Sequence, residues 1–422
     1  MSAFKEYLNN LPSRGSRLGL ARVLELLGLL ASPQESLPII HIAGTNGKGS
    51  VSAMLESILC RCGYKTGFFT SPSLGGVNGL FRVNKECISD ERLCQVTEKI
   101  MALEKNMAEL PTEYEVYAAI ALEFFRQEGC DAVILETCMG GRLDATNVAK
   151  KPLLSVITDV DLDHTGFLGN TVKEIAKEKA GIIKAGCPVV FGGNNSDAMG
   201  VIKAAAHDRG SRLVLVDKDQ LSNIRYSLMG TEFDFGELKN IRLSLCGAYQ
   251  PHNAAVVLTA VELLKDMGFN ISEDNLRKGL AEVKWQGRFE LLSMSPVIIY
   301  DGSHNPGGME MTVHSIREYF GGRKVNLLMG VMADKDYSKM VEIISPLTER
   351  VVTVTPNNPR ALSSADLARR FEENNVSAFA AENISDGVKT AVKISKKTDT
   401  PLLIIGSLYM YSDVVNILDS AF

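Results

Sequence analysis

Several runs in the first half of the chain are too apolar to stand with one face in water. LPIIHIAG, KTGFFT, DAVILE, LLSVIT and PVVF are short and rich in β-branched or aromatic residues. Helical patterns separate them, over about Gly49 to Cys62, Ser89 to Met107, Thr112 to Gln127, and from near Thr171. Strands buried on both faces with helices between them require a parallel sheet covered on two sides. The alternation breaks between about Leu213 and Leu245, where TEFDF and IRLSL follow one another without a helix. That stretch reads as a small antiparallel patch, followed by a helix from near Pro251. Alternation resumes with PVIIYDGSHNP, KVNLLMG, RVVTVT and PLLIIG. The expected organisation is therefore α/β in two domains, 1–294 and 295–422, with the boundary near Ser295.

A length of 422 residues agrees with two cores rather than one. The net charge of -5, with both signs mixed along the chain, argues against a general nucleic-acid binder, which needs a basic face. It leaves room for anionic small substrates, because basic clusters can sit inside an acidic protein. MSAFKEYLNNLPSRG lacks the apolar centre of a secretory signal, and no apolar run is long enough to span a bilayer. The eight cysteines show no CxxC spacing and read as reduced thiols. A cytoplasmic protein with no membrane partner is expected.

The segment HIAGTNGKGS, His41 to Ser50, lies between a buried strand and a helix. Gly44, Gly47 and Gly49 let the backbone turn tightly and aim N–H groups inward, and the helix N-terminus adds positive potential. Lys48 supplies a point charge for outer phosphates and Ser50 a hydroxyl near the metal. The spacing is shorter than the usual P-loop, and Gly49 separates Lys48 from Ser50, so this is a variant of it. A glycine-rich turn with a solvated lysine is the plainer alternative.

GTNGKGS, TSP at Thr70–Pro72, LETCMGGRLDATN at Leu135–Asn147, TDVDLDHTGFLGNT, IAKEKAGIIK, WQGRFE, DGSHNP, DKD at Asp334–Asp336 and GSLY at Gly406–Tyr409 run in one order along nearly the whole chain. In this they resemble the folylpolyglutamate synthases and, more widely, the Mur ligases of cell-wall synthesis. The resemblance implies a P-loop ATPase domain with a mostly parallel sheet, a smaller C-terminal Rossmann-like α/β domain, and an active site in the cleft between them. It assigns Gly44, Thr45, Asn46, Gly47, Lys48, Gly49 and Ser50 to ATP, with Asn253 on the adenine side and Arg288 and Asp301 as further nucleotide contacts.

The metal ligands it implies are Ser71, Glu136, His164 and Lys179. Mg²⁺ prefers oxygen donors, so Glu136 at a strand end suits it and His164 is the less natural member. In the resembling enzymes the lysine matching Lys179 is carbamylated by CO₂, giving an anion that helps hold a second Mg²⁺. On residue type alone, Lys177, Lys179 and Lys184 read as a solvated face. Lys48, Lys179 and His304 are the catalytic set. One departure is Tyr249, which stands where a histidine is expected near Asn253. Another is the loop after TSP. A histidine and then a Glu-Arg pair often follow there in resembling enzymes, and Ser73 and Gly79-Leu80 stand in their places.

The implied reaction is ATP-dependent ligation of L-glutamate to a folate carboxylate through an acyl phosphate, by a monomer acting on folate, glutamate and ATP with two Mg²⁺ ions. Two alternatives stay open: a Mur-type ligase acting on another carboxylate, and a nucleotide-binding protein that has lost ligation.

Overall fold

The structure is a computed structural model that describes residues 3–421. The chain forms two compact units, one of residues 1–219 and 252–282, the other of residues 220–251 and 283–422.

The first unit is built on eight strands: β1 Ile39–Ala43, β2 Thr66–Phe69, β3 Phe81–Val83, β4 Glu86–Cys87, β5 Ala132–Glu136, β6 Leu154–Ile157, β7 Val189–Phe191 and β8 Leu213–Leu215. Their order is β4-β3-β2-β5-β1-β6-β7-β8. All pairings are parallel except β2–β3 and β3–β4. Every residue of β1, β2, β5, β6 and β7 is buried, as the apolar runs require. The chain leaves β1 toward β2 on one side and leaves β6 toward β7 on the other. The carboxyl ends of the neighbours β1 and β6 therefore open a crevice at a reversal of strand order, where open α/β sheets bind ligands.

Helix boundaries follow local chemistry. Thr112 and Thr171 each begin a helix with a reciprocal capping box, to Glu115 and Glu174. The helix Glu113–Glu128 stops at Gly129, which takes the left-handed conformation that a side chain would resist.

The second unit holds two sheets. β9 Leu221–Ser227, β10 Gly230–Phe235 and β11 Leu238–Leu243 form the antiparallel patch, in the order β11-β10-β9. β12 Glu290–Met294, β13 Val297–Asp301, β14 Val325–Met329, β15 Thr348–Thr353, β16 Ser377–Ala380 and β17 Leu402–Ile405 form a sheet in the order β12-β13-β17-β14-β15-β16. Only the β12–β13 pair is antiparallel.

These units divide the chain differently from the expected boundary near Ser295 in two places. β12 lies before it yet pairs with β13. The antiparallel patch also joins the second unit, through the helix Pro306–Phe320. The Tyr319 ring lies 5.4 Å from that of Tyr226, and its hydroxyl accepts the Gly247 N–H at 2.9 Å. Ser315 Oγ accepts the Ala248 N–H at 2.9 Å. Residues 252–282 return to the first unit, where Ser57 Oγ donates to the Gly279 carbonyl at 2.7 Å.

Candidate active site

The loop after β1 is shaped by two glycines. Gly44 has φ +154, and a Cβ there would meet Thr158 Oγ1 at 1.8 Å. Gly47 has φ +83, and a Cβ there would meet Asn253 Oδ1 at 2.5 Å. Neither position tolerates a side chain, because sterics and backbone conformation both forbid it. The helix Lys48–Arg61 starts directly behind Gly47 and buries Gly49 and Ser50. Asn253, expected beside adenine, is buried with its side chain against this loop.

The loop's N–H groups already hold an anion. Asp159, after β6, accepts from Asn46 N at 2.7 Å and Thr45 N at 3.1 Å with one carboxylate oxygen. Thr158 Oγ1 donates to the Asn46 carbonyl at 2.6 Å, and Thr45 Oγ1 accepts the Asp161 N–H at 2.9 Å. Burial raises the Asp159 carboxyl above its ordinary range, against the pull of the Asn46 N–H and of the Lys179 and Lys48 ammonium groups. Asp159 is not among the residues expected at the site. Its one signal was its place at the end of a buried strand next to β1. Lys48 Nζ donates to the carbonyls of Gly44 at 2.9 Å and Thr45 at 3.2 Å, so the ammonium sits on its own loop.

Lys179 is 3% exposed, so the solvated-face reading fails for it. Burial first and the Lys48 charge second push its amine down to about 7, against the pull of Asp159, Asp163 and Asp144. The helix Val172–Ala180 that carries it packs tightly under the loop after β5. A Cβ on Gly141 would lie 3.0 Å from the Lys179 Cα, and Arg142 N donates to the Glu178 carbonyl at 2.7 Å. Asp144 fixes that loop, accepting from Cys138 N and Met139 N with one oxygen and from Thr146 with the other. His41 Nε2 in turn lies 2.8 Å from Thr146 Oγ1. Thr146 spends its proton on Asp144, so the imidazole donates. Burial holds this ring neutral, with its pKa pushed down to about 3.

Glu136 is the last residue of β5 and Ser71 lies two residues beyond the paired strand β2, where Phe69 is opposite Leu135. Glu136 is buried and accepts from Thr70 Oγ1. The Ser71 hydroxyl is buried without a hydrogen-bond partner. An orphaned hydroxyl near a buried carboxylate is an oxygen donor pair of the kind Mg²⁺ takes, with water completing its shell. His164 caps the short helix Thr165–Leu168 in the left-handed region at φ 49, and its side chain is 38% exposed, 3.9 Å from Asp163. Among the described residues, no three His, Cys, Asp or Glu side chains converge on one point, so this is not a soft-metal cage.

In the second unit the DGSHNP segment leaves the carboxyl end of β13. Asp301 is 1% exposed, accepting from Tyr249 Oη at 3.0 Å and from Ser303 Oγ at 2.8 Å and Ser303 N at 3.0 Å. Gly302 leaves room for Arg288, whose Nη1 would be 2.4 Å from a Cβ there. His304 Nδ1 donates to the Gly302 carbonyl at 2.8 Å, which leaves Nε2 as the ring's other functional nitrogen. Asn305 caps the helix Pro306–Phe320. DKD and GSLY leave the same edge of the sheet, after β14 and β17, and Asp334 pairs with Arg360 at 2.9 Å.

Residues 42–261 match the Mur ligase middle domain, and residues 287–408 match the Mur ligase glutamate ligase domain. The chain is 35% identical over 411 residues to the dihydrofolate synthase/folylpolyglutamate synthase of Bacillus subtilis, covering 95% of each chain. Folylpolyglutamate synthase from Thermotoga maritima superposes with a TM-score of 0.85 at 32% identity, covering 100% of this chain and 97% of that one. The Mycobacterium tuberculosis folylpolyglutamate synthase, solved with ADP, gives 0.89 at 28% identity over 98% of both chains. The chain belongs to the folylpolyglutamate synthase/dihydrofolate synthase family of Mur-type ligases.

Proposed function

We propose that this chain uses ATP to join the α-amine of L-glutamate to a carboxylate of a folate. The observation that carries this reading is a phosphate loop already closed on a carboxylate beside a buried lysine of lowered pKa. Displacing the Asp159 carboxylate frees the Asn46 N–H for a phosphate oxygen, while the Thr45 N–H, shared with the Asp159 backbone carbonyl at 3.1 Å, loses its side-chain acceptor. Lys48 exchanges two loop carbonyls for the transferring phosphoryl group, whose charge it stabilises. The folate carboxylate takes the γ-phosphoryl group and becomes an acyl phosphate as ADP leaves; the glutamate amine nitrogen adds to its carbon and gives up a proton, and inorganic phosphate leaves with the C–O bond electrons. No Ser or Cys nucleophile is used.

Bound Mg²⁺ supplies charge neutralisation on the phosphates. Ser71, Glu136 and His164 are the residues that would hold it, joined by Lys179 once carbamylated. A neutral amine is what attack on CO₂ requires; the nitrogen bonds to carbon, one proton leaves, and an anionic carbamate remains. Burial beside Lys48 supports this by keeping much of Lys179 unprotonated near neutral pH. In the second unit, Arg288 suits phosphate oxygens and Asp301 a ribose hydroxyl, with His304 beside them. The enzyme works as a cytoplasmic monomer in this reading. All eight cysteines are free, and no helix among the described residues is long and apolar enough to cross a membrane.

Product mass spectrometry on purified enzyme with ATP, glutamate and a panel of folates and pteroates tests the reaction. A product heavier by one glutamyl residue, formed together with ADP and phosphate, is expected. ATP hydrolysis without any new amide would overturn ligation.

A further inference from the structure

The first unit carries a second recess, away from the phosphate loop. It has a volume of about 390 Å³ and is lined by Leu24, Asn147, Val148, Lys150, Ile183, Lys184 and Arg209 among others. That volume lies within the ordinary range for small-molecule sites. Its basic residues precede strands rather than follow them: Lys150 comes before β6, Lys184 before β7 and Arg209 before β8. Gly186 N donates to the Arg209 carbonyl at 3.0 Å, tying the last two segments together. The recess is therefore at the amino edge of the sheet, whereas Gly44–Lys48, Ser71 and Glu136 lie at carboxyl ends.

Its charge is uncompensated. Lys150 is paired with Glu35 at 3.0 Å, but neither Lys184 nor Arg209 is in an ion pair among the described residues. Lys184 is half-buried, and burial together with the Arg209 charge lowers its pKa. Two cations of like sign, one of them partly desolvated, cost free energy unless an anion joins them. The wall also carries an unmet acceptor, which suits an N–H or O–H donor and not a carboxylate oxygen. Asn147 is 5% exposed and donates through Nδ2 to the carbonyls of Arg142 at 2.9 Å and Gly181 at 3.1 Å, while its Oδ1 has no partner. Leu24, 43% exposed, supplies the apolar side-chain surface of the recess, over the buried Val148 and Ile183.

We propose that this recess binds a small carboxylate with an apolar body, the carboxylate held by Lys184 and Arg209 and the body lying on Leu24. Lys and Arg both bond carboxylate oxygens strongly, and the exposed Leu24 side chain favours an aryl or branched aliphatic acid over a bare inorganic anion. The floor of the recess is the Asn147–Gly181 bridge, which joins the loop after β5 to the end of the helix bearing Lys179. An occupant would thus rest behind the active-site lysine without touching substrate.

The test uses the full chain and benzoate as the probe, with uncharged benzamide and inorganic phosphate as comparison arms, by calorimetry and ligand-observed NMR. Benzoate is expected to bind saturably and to weaken at least tenfold in Lys184→Met and in Arg209→Ser, and to bind Lys48→Ala as it binds the parent. Benzamide is expected not to bind, and phosphate to bind more weakly than benzoate. No saturable benzoate binding, or parental affinity in both recess variants, would overturn the site. Loss of benzoate binding in Lys48→Ala would place the probe at the phosphate loop and overturn it too. Phosphate binding as tightly as benzoate would overturn the apolar part of the assignment. Arg209 is exposed, so its variant carries the test if Lys184→Met fails to fold.

Discussion

The Tyr249 hydroxyl donates to Oδ2 of Asp301 over 3.0 Å, from the residue that replaces the histidine expected at this point of the motif. Ser303 occupies the other carboxylate oxygen twice. Gly247, at φ +112, makes the contact possible, since a Cβ there would lie 3.0 Å from the Tyr249 ring. Burial raises the Asp301 carboxyl, and Ser303, Arg288 and Tyr249 offset that in turn. Removing the phenol leaves a buried oxygen short of one donor, which typically costs about 1–3 kcal/mol. Tyr249→Phe is therefore expected to raise KM for ATP several-fold while kcat is kept, and Tyr249→His to restore most of the affinity. Steady-state kinetics with ATP varied checks this; an unchanged KM in Tyr249→Phe, with Asp301→Asn impaired, would leave Asp301 in place and remove Tyr249.

Lys48→Ala is expected to lower the ligation rate about a hundredfold or more, the usual cost of losing a charge that acts on the transition state. The fold should survive, because among the described residues Lys48 Nζ bonds only the Gly44 and Thr45 carbonyls of its own loop. Turnover and circular dichroism on the same preparation decide it. Near-parental turnover would take Lys48 out of the mechanism.

Lys179 yields a pH prediction whose sign can be worked out. Its folded pKa of about 7 lies below the unfolded value of about 10.4. Between those values the unfolded chain binds more protons, so this group makes stability rise with pH across the window. In CO₂-free buffer, denaturant titrations from pH 7 to 10 should show a steeper rise for the parent than for Lys179→Met. Equal slopes would mean an unperturbed amine. For activity, CO₂ depletion should slow ligation and bicarbonate should restore it in the parent only.

Much of the first unit was legible because its signals are local. LPIIHIAG followed by glycines and a lysine specifies strand, loop and helix before any tertiary contact forms. Lys179 was harder to read. KEIAKEKA has the charge pattern of a solvated helix, and only its approach to Gly141 buries the one lysine that faces inward. Asp159 was invisible for a similar reason. Three aspartates alternate in TDVDLDH, and which one meets the loop depends on the pairing of β1 with β6. The compact units depart from the expected boundary where pairing overrides sequence order. β12 joins β13 by a hairpin, and the patch of β9 to β11 docks on Tyr319, a contact 88 residues along from Thr231, its partner at 3.3 Å.

The loop after β2 gives the last prediction, that folate glutamylation exceeds ligation to dihydropteroate. Ser73 and Gly79-Leu80 stand where resembling enzymes often carry a histidine and a Glu-Arg pair. Ser73 Oγ accepts the Gly75 N–H at 3.1 Å and would lie 2.2 Å from a Cβ on Gly79, so it fills the space a longer residue at 79 needs. Leu80 is 8% exposed and belongs to the apolar core with Phe69 and Phe81, so an arginine there would bury a charge. The acid-base pair therefore cannot be restored at 79 and 80 without repacking, and its hydrogen bonds to a pterin are missing from this loop. A folate is still anchored by its glutamyl end, whereas dihydropteroate depends more on the pterin end. The expected kcat/KM is higher for tetrahydrofolate than for dihydropteroate on one preparation. The double variant Ser73→Ala with Gly79→Glu, which clears the clash and leaves Leu80 in the core, should raise the dihydropteroate value. Equal or better use of dihydropteroate by the parent enzyme would show that pterin recognition comes from elsewhere in the first unit.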